Sequence, residues 1–256
     1  MKLKRPQAIT EILLFFAAFF LPGYAAQGSF APPASATNLL MIQAILAGVP
    51  QFLLMAWVVT TRGQSGDGPR QGNGRQRENG RRPRSGPEYW GFVGVRPADA
   101  LRAALLVLAC FAAVIPFAVL VLSLPDSMAR ILGKGYRWGL QGAAQVPLAV
   151  LFGLTAGYRE EFFFRAYLVS RLDELGLTVP AAAAVSTALF CLGHVYEGPL
   201  AVAVTAALGI LLCVAWLRWK NLHIVAVAHG CYNALVLCLT LVLPRTLPQA
   251  GFLHIF

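Results

Sequence analysis

Residues 157–180 read "GYREEFFFRAYLVSRLDELGLTVP", and the class of the fold turns on how this stretch is read. Its first half sets Arg159, Glu160, Glu161 and Arg165 among aromatic and aliphatic residues. A charge at the centre of a membrane helix costs about 2.5–3.5 kcal/mol on insertion scales, so charges kept there point to function or to a partner. Its second half supplies a charged end, a glycine suited to the position after a helix and a proline suited to start the next. After Pro147 no proline interrupts the preceding run to about 175. The pattern predicts an antiparallel helical hairpin that turns near residue 177.

The rest of the chain supplies the solvent for that hairpin. Of 256 residues, 57% are hydrophobic and only 12% charged, and the mean hydropathy is +0.63. A soluble domain carries about twice that charged fraction. Apolar runs long enough to cross about 30 Å of hydrocarbon as helices occur near 8–26, 37–60, 100–124, 145–170, 178–196, 199–217 and 222–243. The expected architecture is all-α, a polytopic transmembrane helical bundle of about 7–8 spans, the eighth lying within 125–158. No internal repeat stands out.

The net charge of +10 is unevenly spread. Lys2, Lys4 and Arg5 precede the first run, seven arginines lie between Arg62 and Arg84, and Arg218 and Lys220 separate the last two runs. By the positive-inside tendency these segments are cytoplasmic, which puts the N-terminus inside. Arg130, Lys134 and Arg137 weaken the pattern. The basic start, apolar core and small residues of 1–26 also resemble a secretory signal. Core length favours an uncleaved anchor, and the later topology is the same either way.

Residues 61–88 hold seven glycines, three prolines and seven arginines without Leu, Ile, Val or Phe. Such a segment cannot bury enough apolar surface to order itself and reads as a mobile linker. It has no interleaved aromatics on which bases would stack, so anionic lipid headgroups suit it better than nucleic acid. The five cysteines lie in apolar runs without Cys-x-x-Cys spacing, which argues against a disulfide framework or a cysteine metal site.

Geometry then gathers the polar residues within the spans. Glu160 lies 17 residues before the predicted turn and His194 lies 17 after it, so straight helices bring them to one height. Glu160 is 11 residues from Arg171 and His229 is 9 from Lys220, depths of about 16 and 14 Å. His229 and Asn233, four apart, face the same way. Glu161 and Arg165, also four apart, read as an ion pair, and Phe190 as packing one turn from His194. Arg159, adjacent to Glu160, is expected to point elsewhere on the helix. Interhelical hydrogen bonding is the simpler reading of a lone His or Asn; Glu160 resists it, because one arginine does not readily neutralise both carboxylates from one face.

"EEFFFR" (160–165), "FCLGH" (190–194) and "HGCYN" (229–233) fit Glu-Glu-x-x-x-Arg, Phe-x-x-x-His and His-x-x-x-Asn. Together they resemble the CPBP intramembrane proteases, which include type II CAAX prenyl endopeptidases and Abi proteins. The likeness covers about 145–240 and departs at Ala166, where glycine is frequent. It divides the chain into N-terminal spans (1–60), a basic Gly/Arg-rich cytoplasmic linker (61–98) and a membrane-embedded protease core (99–256).

The resemblance implies hydrolysis of a peptide bond near or within the membrane. Glu160, with His194, would activate water, and His229 and Asn233 would hydrogen-bond the oxyanion. Glu161, Arg165 and Phe190 would support the site. No cofactor is needed on this reading; the zinc alternative uses Glu160, His194 and His229 as ligands, with Asn233 an unusual companion and no separate base in view. The implied partners are a membrane-associated peptide or protein substrate and the bilayer, with no nucleic acid. Seventeen arginines against four lysines suggest a GC-rich bacterial source, hence an inner membrane. A non-catalytic immunity or scaffold protein is the rival reading, while a proton-coupled transporter would be expected to show related halves.

Overall fold

The computed structural model describes residues 5–21, 36–64, 86–125, 128, 139–195 and 198–242. Among them there are helices and no strands. The basic stretch 65–85 and the candidate span and loop residues 129–138 lie outside the described residues.

The first helices are α1 (Arg5–Phe19), α2 (Thr37–Gln64) and α3 (Pro97–Ser123). The start of α3 is fixed by chemistry suited to a helix N-terminus. Pro97 opens it, and Asp99 accepts a hydrogen bond from the Arg96 backbone N–H at 3.0 Å. Along α3, Ala103, Leu106, Cys110, Val114, Ala118 and Val121 are buried at helical spacing. Leu101, Leu105, Leu108, Ile115 and Val119 are exposed on the same helix. A helix apolar on both its inner and outer faces is built for lipid rather than water.

The predicted hairpin is present. Its first arm is one continuous rod: α4 (Val146–Glu161), a π-helical turn (Phe162–Leu168) and α5 (Val169–Glu174). Gly176, at φ +102°, takes the left-handed conformation that ends α5, and the Leu177 N–H donates back to the Leu172 carbonyl at 3.0 Å. Thr178 then caps α6 (Val179–Leu192), its side chain accepting from the Ala181 N–H. The last two helices are α7 (Pro199–Trp219) and α8 (Leu222–Val242), separated by Lys220 and Asn221.

Among the described residues four helices are long and apolar enough to cross a membrane by length and composition: Thr37–Thr61, Pro97–Ser123, Pro199–Trp219 and Leu222–Val242. α6 is apolar but shorter, and α1 has 15 residues. The four, with α1, the first arm of the hairpin and α6, make seven helical rods among the described residues, where seven or eight spans were expected. The first arm carries its charges internally.

Residues 86–96, read from sequence with the linker, pack on the core where the structure describes them. Trp90, at the end of a 3-10 turn (Gly86–Trp90), is buried and stacks on Tyr167 at 6.1 Å. The Gly91 carbonyl accepts from the Leu222 N–H at 3.0 Å, satisfying a donor at the start of α8. Gly91 has φ +85°, and a Cβ there would stand 2.6 Å from the Trp216 ring.

On the other side, α1 lies against the π turn. Phe20 contacts Phe163 and Phe164 at 4.7 and 5.0 Å between ring centres. Glu11, buried in α1, accepts hydrogen bonds from Tyr167 at 2.9 Å and Arg171 at 3.3 Å.

Candidate active site

The site is set by how closely α4 and α8 approach. Gly153 and Gly157 on α4 face Gly230 on α8, and a Cβ on Gly157 would press into the Ala226 carbonyl, one on Gly153 into the Gly230 carbonyl. Small residues four apart let membrane helices meet backbone to backbone. This contact delivers the next turn of α4, with its two carboxylates, to His229.

Glu161 is completely buried and serves two partners, a histidine and an arginine. Its Oε1 accepts from His229 Nδ1 at 2.7 Å and lies 3.1 Å from Arg165 Nη1. The Glu161–Arg165 pair is present as its spacing predicts. The partner from α8 was not foreseen, and it makes Glu161 a link between two motifs. Arg165 lies 4.1 Å above the Phe190 ring and donates to the Gly209 carbonyl of α7 at 3.4 Å. Desolvation strengthens such a cation–π contact.

Glu160 keeps some exposure, with its side chain 14% accessible. Its Oε1 accepts from Arg159 Nη2 at 2.9 Å. The expectation that Arg159 points elsewhere on the helix is therefore corrected. The guanidinium is drawn round by α2, where Gln51 Oε1 accepts from Nη1 at 3.4 Å.

His194 stands differently from its expected place within a span. α6 stops at Leu192, where the Gly193 N–H turns back to the Phe190 carbonyl at 3.1 Å, and His194 lies in the turn that follows. Its Nδ1–H donates to the same Phe190 carbonyl at 2.9 Å, occupying one of the acceptors a helix end leaves over. With Nδ1 so engaged, neutral His194 presents Nε2 as a lone pair. His194 is half-buried.

Phe190 joins the parts. Its ring centre is 4.8 Å from that of His194 and 6.0 Å from that of His229, which meets it edge-on. Asn233 lies one turn beyond His229 on α8, half-buried, and its side chain has no hydrogen-bond partner among the described residues. Ala166 is fully buried inside the π turn. A carbonyl of that turn, Phe164, is taken by the Ser186 hydroxyl of α6. Such turns interrupt α-helices most often at functional sites.

Among the described residues no group of three or more His, Cys, Asp or Glu side chains is arranged to hold a metal ion. Glu160 is spent in part on Arg159, and Glu161, not Glu160, is the carboxylate bonded to His229. The set Glu160, His194 and His229 therefore does not fit a zinc centre here.

A second polar pair lies on α4 and α8. Tyr158 and His223 are hydrogen-bonded at 3.0 Å, beside Phe52 and Phe92. Neither residue was singled out from sequence, since a tyrosine and a histidine 65 apart carry no spacing signal.

Residues 142–235 match the family described as type II CAAX prenyl endopeptidase Rce1-like. Through this segment the chain is similar to the CPBP intramembrane proteases. All three motifs fall inside the matched residues. No curated protein and no solved structure matches the chain. The family likeness and the apolar helices together make this an integral membrane protein. α1, α2 and α3 lie outside the matched residues.

Proposed function

We propose that this protein is an intramembrane endopeptidase that hydrolyses a peptide bond with water activated by Glu160 and His194. The observation that carries the reading is that His194 and His229 meet at one ring, Phe190, while His229 is bonded to Glu161, the immediate neighbour of Glu160. Glu160 Oε2 and His194 Nε2 are the two acceptors that remain for the hydrogens of a water molecule. Glu160 takes the proton as water oxygen attacks the carbonyl carbon, and returns it to the leaving amine. The oxyanion is met by the Asn233 amide and by His229 Nε2–H when that ring carries both protons. Glu161, bonded to His229 Nδ1, balances the charge of the ring in that form. Each oxyanion donor of this kind contributes about 3–4 kcal/mol in other enzymes. No covalent intermediate and no metal is required.

The substrate on this reading is a membrane-associated peptide or protein, and the CAAX description of the family makes a prenylated C-terminal segment one candidate class. The protein spans a bacterial inner membrane seven or eight times with its N-terminus in the cytoplasm. Support comes from the lysines and arginines of 2–5, 62–84 and 218–220.

The test is cleavage of a quenched fluorescent membrane-peptide library by the purified protein in detergent. Wild type, Glu160→Gln and His194→Ala are compared with and without a strong zinc chelator. Cleavage that survives chelation and disappears in both variants is expected. Loss on chelation with recovery on adding zinc would overturn the metal-free mechanism, and equal activity in all three proteins would overturn the site.

A further inference from the structure

Arg159 is not one of the motif residues, yet its guanidinium touches the proposed base. Nη2 donates to Glu160 Oε1 at 2.9 Å, Nη1 donates to Gln51 Oε1 of α2 at 3.4 Å, and the guanidinium carbon stands 5.3 Å over the ring of Phe20, just beyond α1. Neighbouring residues on a helix do not face each other, so an adjacent Arg–Glu contact needs an outside hold on one side chain. Gln51 and Phe20 are that hold. Phe20 is itself fixed, 6% exposed and packed on Phe163 and Phe164. A Glu side chain has three rotatable bonds, and fixing them for attack costs entropy that a preformed contact removes in advance.

We propose that Arg159 is a positioning residue for hydrolysis: it occupies Oε1 of Glu160 so that Oε2 faces the water, and it carries the hold of α1 and α2 into the site. The inference rests on Glu160 being the base. It adds that helices outside the matched segment set the orientation of that base. Arg159 does not contact the peptide, so its loss affects turnover and leaves substrate binding alone.

The experiment measures kcat and KM on one cleaved peptide for wild type, Arg159→Ala, Arg159→Lys, Gln51→Leu and Glu160→Gln, with thermal unfolding of each. Arg159→Ala is expected to lower kcat about 100-fold, the scale of a misplaced catalytic group, with KM held within about twofold. Gln51→Leu, which loses one hydrogen bond, is expected to lower kcat about fivefold. Added guanidinium ion at millimolar concentration is expected to restore part of the kcat of Arg159→Ala and to leave wild type unchanged, which a purely structural role would not produce. A raised KM with wild-type kcat would overturn the proposal in favour of substrate binding. If Arg159→Ala does not fold, Arg159→Lys and Gln51→Leu decide, and wild-type kcat in both overturns it. Inactive Glu160→Gln beside wild-type kcat in the Arg159 variants overturns this inference alone, whereas active Glu160→Gln overturns the reading beneath it.

Discussion

His229 donates its Nδ1–H to Glu161 across the α4–α8 contact at 2.7 Å, and the same carboxylate oxygen lies 3.1 Å from Arg165. One oxygen thus ties the first motif to the third. Glu161→Gln keeps the shape and removes the charge, leaving Arg165 buried without its anion. Breaking such a buried pair costs about 3–5 kcal/mol. Unfolding of the purified variant in mixed detergent is expected to show that loss, and kcat is expected to fall about 100-fold as His229 loses its fixed ring orientation.

The α4–α8 approach predicts a sharp contrast among glycines. Gly157→Ala drives a methyl group into the Ala226 carbonyl, while a Cβ at Gly94 or Gly142 meets nothing within 4 Å. Gly157→Ala is expected to lower stability by about 1–3 kcal/mol and to cut activity, because α4 carries Glu160 and Glu161. Gly94→Ala and Gly142→Ala are expected to match wild type in melting temperature and rate.

The Phe190 ring meets four side chains, those of Arg165, Phe164, His194 and His229. Phe190→Leu fills most of the space yet removes the face on which Arg165 sits at 4.1 Å. A desolvated cation–π contact is worth about 2 kcal/mol, and a loss of that order in unfolding free energy is expected. Phe190→Tyr, which keeps the ring, is expected to retain most of the stability; the comparison of the two variants isolates the ring face.

Tyr89 gives a prediction in pH. It donates to Glu174 Oε1 at 3.0 Å, and burial, followed by the Glu174 charge, raises its pKa well above the ordinary value of 10.0. A raised folded pKa means that the stabilisation is whole below the unfolded value and is lost as pH climbs above about 10. Tyr89→Phe is expected to be less stable than wild type at pH 8, and to lose less stability between pH 9 and pH 11, by thermal melts across that range.

The turn of the hairpin was legible because Gly176 and Pro180 act locally, through backbone conformation and a missing N–H. The first and third motifs were legible because i, i+4 spacing holds on any helix, whereas His194 of the second lies in the turn after α6. Arg159 was misread by the same rule: adjacency excludes contact on an isolated helix, and Gln51 and Phe20, more than a hundred residues earlier, reverse it. The Gly153–Gly157 spacing was visible but mute without its partner Gly230. The π turn left no mark in a run of three phenylalanines, since the carbonyl bonded to Ser186 depends on α6 being in place. Hydropathy reads composition and not where a helix stops, so the run that suggested α6 carries on past Leu192 to include His194.

Glu11 bears on how the chain is made. Its hydrogen-bond partners Tyr167 and Arg171 lie 156 and 160 residues later. At about 5–20 residues per second, a ribosome needs roughly 8–30 s to span that interval. For that time α1 waits without those two groups, and it settles only once the first arm of the hairpin has been made.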